Sequence, residues 1–452
     1  MSSFSKHFGP EMKVKPPGPK AQEIINEDRQ YLSTSLSRTA ELVGKRAHGA
    51  YVEDVDGNIY LDFGSGIAVT TVGHTHPKVV QAVQTQVAEL IHVNSCDYLS
   101  LPQVDYARRI IELAPGSFPK RVFFSNSGTE AVEAAIKSAV YHTQKHGIIS
   151  FIGGFHGRTM GALSLTSNSP VSRRHYLGSM MPNVAFTPFA NPYRNPFKGD
   201  CAEETLRFLE EKILGHVMPA EDCAAIIVEP IQGAGGYIIP PKAFLQGLQE
   251  ICRKYDLLLI VDEVQTGFGK TGCMFASEAF GIEPDLLCLS KSIAAGLPMG
   301  LTLARRDLLE WDLNTHENTL GGNPVVVAAA NAVLDIFEEE KLTERAKEIG
   351  KQIILALRRL QDKNPQIGDL RGMGTMIGIE FITDAATKCP APVIRDRFIQ
   401  ACFERGLLVL GAGQSSVRLA PPLILTENEI DVGLAIIETA LEVATSGSKE
   451  CA

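Results

Sequence analysis

The stretch DLLCLSKSIAAGLPMG, residues 285–300, sets Lys291 directly after an apolar run. An ammonium leaving water at a strand end needs a partner or another use. One use is as an amine that condenses with a carbonyl group; the plainer reading is a surface lysine opening a helix. Asp262 ends the most apolar run of the chain, LLLIVDEV at 257. Its carboxylate either caps the following turn or pairs with a buried cation. Ser127, Gly128 and Thr129 stand in SNSGTEAVEAAIK, where a strand gives way to a helix. Helix N-terminal N–H groups, the positive dipole end and a glycine that permits close approach suit a phosphate. The alternative there is an N-cap with Glu130 or Glu133 in the first turn. Amine, carboxylate and anion cradle together meet the needs of pyridoxal 5'-phosphate, which requires a lysine for its Schiff base, a carboxylate to hold its pyridinium nitrogen protonated and a site for its phosphate.

Classical ATP and NAD sites find no support. GFGKTG at 267 lacks the glycine that a phosphate-binding P-loop needs at position 264, where Val264 stands. The glycines of GAGGYI and GAGQSS also miss the dinucleotide spacing.

These residues need strands to carry them. From about residue 75 short apolar runs alternate with amphipathic helical spacing: RVFFS at 121, GIISFI at 147, NVAFTPF at 183, AAIIVEP at 224, LLLIVDEV at 257 and DLLCLS at 285. Near-continuous apolar strands suit a parallel sheet covered by helices on both faces, and ligands bind outside the carboxyl ends of such strands. Five of the runs end in polar residues there. Before them, the first twenty residues carry four prolines and read as an extended arm, and AYVEDVDGNIYLDF reads as a hairpin turning at Asp56 and Gly57. After residue 325 come a long helical region, GDLRGMGTMIGIEF and a mixed strand and helix tail. The fold class is therefore α/β, a mainly parallel large domain with an α+β small domain. The boundaries read as 1–64 for the arm and hairpin, packing with the small domain, 65–325 for the large domain and 326–452 for the small one.

Composition fits this class. The 452 residues are 44% hydrophobic and 21% charged with net charge -9, which gives no electrostatic reason to expect nucleic acid. The nine cysteines are scattered, without metal-binding or disulfide-framework spacing, as suits a reducing compartment. With no signal-like N-terminus and no eighteen-residue apolar run, the expected location is cytoplasmic, with no membrane partner.

DEVQTGFGKTG, SKSIAAGLPMG, SNSGTEAVEAAIK, FHGRT, EPIQGAGG and TLGGNP occur together in this chain, and they resemble the class III pyridoxal-phosphate aminotransferases, especially 4-aminobutyrate aminotransferases. DFGSGIAVTTVGHTHPKVVQAV and SSVRLAPPL extend the likeness over nearly the whole chain. The resemblance implies a fold-type I transferase in which Lys291 holds the coenzyme and shuttles a proton, and Asp262 binds the pyridinium nitrogen. Ser127, Gly128 and Thr129 hold the phosphate, and Thr319 reaches the phosphate of a neighbouring subunit's coenzyme, so that a homodimer, or a higher homo-oligomer, shares its active sites. Phe155 and Val264 cover the two ring faces, Gln265 lies near the phenolic oxygen, and His156 and Glu229 belong to the same polar shell. Ile67 matches an apolar wall of the substrate pocket. Arg158 matches the grip on the distal carboxylate of 4-aminobutyrate or glutamate, and Arg418 the grip on the α-carboxylate of glutamate or 2-oxoglutarate. The implied reaction moves an amino group from an ω-amino donor to an oxo-acid acceptor, 2-oxoglutarate, in a ping-pong cycle.

One position departs. Where relatives that use both ω-amines and glutamate read EPxQGEGG, this chain has Ala234. The glutamate normally covers the α-carboxylate arginine when no α-carboxylate is bound, and an uncovered arginine facing an apolar substrate carries a desolvation cost. Arg418 is then expected to stay open to α-carboxylates. A racemase or epimerase on the same scaffold, or an ornithine or α-amino-acid aminotransferase, is the alternative activity. A decayed, non-catalytic scaffold would have lost lysine, aspartate or cradle, and all three are present.

Overall fold

The computed structural model describes residues 9–446, and these divide into two compact units, one formed by the described parts of 1–76 and 345–452 and the other by 77–344. The long helix Pro324–Glu339, expected with the C-terminal lobe, belongs to the second unit.

The 77–344 unit is built on a seven-stranded sheet. Its strands lie in the order Lys120–Ser125, Gly300–Arg305, Leu286–Leu289, Leu258–Asp262, Cys223–Val228, Gly147–Phe151, Val184–Thr187. The six apolar runs all form strands. Pairing is parallel from Leu286–Leu289 through to Val184–Thr187. Gly300–Arg305, which the sequence reading did not single out, is antiparallel to both its neighbours. It inserts between the first strand and the lysine-bearing strand and leaves the carboxyl ends of the other six along one edge. The central strands are buried throughout: Cys223–Val228, Leu258–Asp262 and Leu286–Leu289 expose no residue. Their β-branched and leucine side chains fill both faces, as a helix-covered sheet requires. The helix Gly128–Thr143 covers one face with Ala131, Val132, Ala135, Ile136 and Ala139, packed against Ile227, Ile260 and Leu286.

The other unit is α+β. A four-stranded sheet orders Gly44–His48, Tyr51–Asp54, Ile59–Asp62 and Leu407–Leu408, and a second sheet contains Ile367–Met373, Met376–Asp384, Ser416–Leu419 and Leu410–Ala412. Parallel pairing of Leu407 with Leu61 joins sequence-distant ends of the chain in one sheet. A shared core of Phe63, Ile353, Ile377, Phe381, Phe398 and Ile437 closes the unit. The hairpin forms as its sequence suggests: Asp54 Oδ1 accepts from the N–H groups of Asp56 and Asn58, and Gly57 takes φ +90°. The arm differs from the expectation. Glu11 pairs with Ile59, and a helix, Pro19–Tyr31, already begins within the first twenty residues. It does so because Asp56 accepts from Lys20 N and Ala21 N and supplies from a distance the cap that Gly18 cannot. The first eight residues lie outside those described.

Candidate active site

Where Lys120–Ser125 passes into Gly128–Thr143, Ser127 takes an extended conformation and its Oγ accepts from Glu130 N at 3.3 Å. The cap reading is therefore present, and it is compatible with an anion site. Capping uses the Ser127 lone pair and leaves its proton, while the N–H groups of Gly128 and Thr129 point out of the helix end. Gly128 is needed here for space. A Cβ at this position would stand 2.9 Å from Val264 Cγ1 and 3.3 Å from Ser290 Cβ. The cradle thus lies against the residue proposed for one ring face and against the residue preceding the lysine.

Lys291 begins a short 3-10 turn, Lys291–Ala294, and has φ +44°, a left-handed backbone rarely taken by a side-chain-bearing residue. Ser290, just before it, donates its hydroxyl to Met299 O at 2.6 Å. On the adjacent strand Asp262 stands opposite Cys288 in register. Asp262 is buried. Its Oδ1 accepts from Val264 N at 3.0 Å and its Oδ2 from His156 Nδ1 at 2.8 Å. A carboxylate only accepts, so that contact assigns the proton to Nδ1. The neighbouring Glu263 is equally buried, but Ala276 N, Ser277 N, Ser277 Oγ and Thr266 Oγ1 saturate it. It caps the helix Ala276–Phe280. Of the two consecutive carboxylates, only Asp262 retains acceptor capacity for a ligand.

Glu229, past the end of Cys223–Val228, accepts from Phe155 N and Gly233 N, each at 2.8 Å. Burial, with a smaller contribution from Asp262, pushes its carboxyl up to about 7, against the lowering influence of His156 and the two N–H groups. Gln265 lies against Gly233, where an added Cβ would be 2.4 Å from its Nε2, and its Oε1 is buried without a partner. That unsatisfied amide needs a partner that the described residues do not supply. Phe155 is half-buried, and the Arg158 guanidinium lies 5.4 Å from its ring centroid. The sequence reading passed over Thr166 and Gln232, which hold this loop by accepting from His156 N at 2.9 Å and by donating to Ile152 O at 2.9 Å. Gln232 of EPIQG was the one visible signal.

Thr319 is exposed, in a loop pinned where Asn318 Nδ2 donates to Phe124 O at 2.8 Å. Ala234 is half-buried in the loop that Glu229 holds. Ile67 and Arg418 belong to the other unit. Ile67 sits in a left-handed turn, with Ser65, Gly66, Ile67 and Ala68 at φ 47°, 59°, 69° and 57°. Ser65 Oγ donates to Ala420 O at 2.6 Å, which ties this turn to the strand of Arg418. The Nε of Arg418 is buried without a partner.

The residues of the 77–344 unit fit pyridoxal 5'-phosphate: a helix-end anion cradle, a buried carboxylate with spare acceptor capacity, an orphaned amide oxygen and a lysine at a neighbouring strand end.

Comparison with known proteins agrees. A family model described as "Aminotransferase class-III" matches residues 33–441. The chain is 38% identical to an alanine/serine racemase of Pyrococcus horikoshii, over 98% of this chain and 94% of that protein. It is also 38% identical to a 4-aminobutyrate aminotransferase of Mycobacterium tuberculosis, over 93% of this chain and 95% of that one. Among solved structures, an omega transaminase from Pseudomonas jessenii superposes with a TM-score of 0.88 at 30% identity, covering 93% of this chain and 98% of that one.

Proposed function

Because the chain belongs to the class III pyridoxal-phosphate-dependent aminotransferases, we propose that it moves an amino group from an ω-amino acid of the 4-aminobutyrate kind to 2-oxoglutarate in a ping-pong cycle. The observation that carries the substrate reading is Arg158, set over the Phe155 ring at the carboxyl edge of the sheet. A planar guanidinium there suits the distal carboxylate of a dicarboxylate bidentately. Bound pyridoxal 5'-phosphate supplies the electron sink that lets the amine-bearing carbon lose a proton. Lys291 Nζ takes that proton and returns it. Asp262, oriented by His156 and Val264 N, holds a positive charge at the ring nitrogen. Ser127, Gly128 and Thr129 hold the phosphate, Gln265 meets the ring hydroxyl, and Phe155 and Val264 enclose the ring. Arg418, with its unpartnered Nε, takes the α-carboxylate. In this reading the active unit is a homodimer, Thr319 serves the neighbouring copy's phosphate, and the enzyme works in the cytoplasm.

The similarity to an alanine/serine racemase favours a second reading, amino-acid racemisation, although Ala234 removes the obvious acidic group for the second face of the substrate carbon. One experiment separates them. Holoenzyme is mixed with ω-amines and L-amino acids without any oxo acid, and the coenzyme spectrum and amino-acid enantiomers are followed. Stoichiometric loss of the visible band with 4-aminobutyrate supports transamination. Catalytic appearance of D-amino acid with the band intact establishes the racemase reading and ends the first.

A further inference from the structure

The loop that presents Arg158 follows the strand Gly147–Phe151 and, past the turn that Gly154 N closes on Phe151 O, forms neither helix nor ladder, so side chains accept from Phe155, His156, Arg158 and Thr159. Phe155 N donates to Glu229 and His156 N to Thr166. The last two, Arg158 N and Thr159 N, both donate to Thr129 Oγ1 at 3.3 Å. Thr129 Oγ1 lies 2.7 Å from Thr159 Oγ1, which lies 2.5 Å from Glu133 Oε1. The direction of this chain follows from its end. A carboxylate only accepts, so Thr159 donates to Glu133, and Thr129 must spend its own proton on Thr159. Glu133 Oε1 also accepts from Ala162 N at 3.0 Å. Two glycines let the loop settle onto the helix: a Cβ on Gly157, at φ +144°, would stand 2.1 Å from Thr129 Oγ1, and one on Gly161 would stand 2.2 Å from Glu133 Oε2. Arg158 and Thr159 are exposed, so hydrogen bonds rather than burial hold this part of the loop.

We propose that Thr129, Thr159 and Glu133 form a positioning chain that fixes Arg158 and thereby sets the preference for a dicarboxylate over a monocarboxylate oxo acid. The Thr129 hydroxyl then serves Arg158, and the phosphate cradle consists of the Gly128 and Thr129 N–H groups with the Ser127 hydroxyl. This inference rests on the reading of Arg158 as the distal-carboxylate grip. The side chains of Thr159 and Glu133 act only through that arginine and take no part in the chemistry.

The test measures kcat and KM of holoenzyme with 2-oxoglutarate, and kcat/KM with pyruvate, for Arg158→Ala, Thr159→Val, Thr159→Ser and Glu133→Leu. Thr159→Val and Glu133→Leu are expected to raise the KM for 2-oxoglutarate at least fivefold, to change its kcat and the pyruvate kcat/KM less than twofold, and Thr159→Ser to restore the wild-type KM. Pyruvate turnover in the same preparation reports intact folding and coenzyme. If Arg158→Ala is selective against 2-oxoglutarate while Thr159→Val and Glu133→Leu affect both oxo acids equally or neither, the positioning chain is refuted and the substrate reading stands. If Arg158→Ala itself is not selective, the substrate reading fails and the chain's role falls with it.

Discussion

Lys291 combines an unfavourable backbone with a demanding side chain. A left-handed conformation at a non-glycine residue costs roughly 1–2 kcal/mol, and at φ +44° this lysine bears such a cost beside the candidate ring site. Strain of this kind persists where the surroundings over-determine it, often at functional positions. Lys291→Ala should retain coenzyme through the phosphate and Asp262 contacts while turnover falls by roughly two to four orders of magnitude, the range of general acid–base catalysis. Absorbance titration and steady-state rates measure the two effects, and full activity in this variant would refute the assignment. Glu229 carries a pH prediction. Its carboxyl is pushed up to about 7 in the folded chain against an ordinary value of 4.5, so the folded state binds the proton more tightly than the unfolded state. Stability at this group is greatest below about 4.5 and declines as pH rises through about 7. Melting temperatures of the apoenzyme between pH 5 and 8 should decline less in Glu229→Gln than in wild type, and parallel slopes would contradict the shift. The residue scale also shows a limit of sequence reading. DEV presents two adjacent carboxylates, and only the contacts of Ala276 and Ser277 identify Glu263 as the saturated one.

At the scale of elements, the helix Gly128–Thr143 presents its first turn to the site because a glycine at its start permits contact with Val264 and Ser290. Gly128→Ala should push the cradle away from both and weaken coenzyme affinity by about tenfold or more, equivalent to about 1.4 kcal/mol; unchanged affinity would show that the helix end can shift freely. A remote cap organises the N-terminal helix. Asp56→Ala removes the acceptor for Lys20 N and Ala21 N and should cost about 1 kcal/mol, as helix caps typically do. Chemical denaturation is the measurement. Both elements were legible in part. The strand-to-helix switch at Ser127 and the hairpin at Asp56 carry local signals, whereas the pairing of Asp56 with a helix start 35 residues earlier is a long-range fact that no window contains.

For the whole molecule, the proposal requires two copies, because Thr319 is to serve a neighbour's phosphate. A hybrid of a Lys291→Ala chain with a Thr319→Ala chain would then contain one site with both residues native. Its turnover per remaining Lys291 should exceed that of the Thr319→Ala homodimer, and equality would place Thr319 outside the shared site.

The sequence by itself determined the parallel strand runs and the strand-to-helix switch at Gly128, because strand periodicity and helix capping are local properties of the chain; it offered Lys291 and Asp262 as candidates from their strand-end positions, and Arg158 and Arg418 through the family resemblance alone. Tertiary structure decided the rest. It inserted Gly300–Arg305 antiparallel between two strands, aimed His156 at Asp262, saturated Glu263 and bound the Arg158 loop to the helix of Thr129 and Glu133. Each of these depends on which donor lies within hydrogen-bonding distance, about 3 Å, of which acceptor. Sheet order and packing set that distance, and separation along the chain does not encode it.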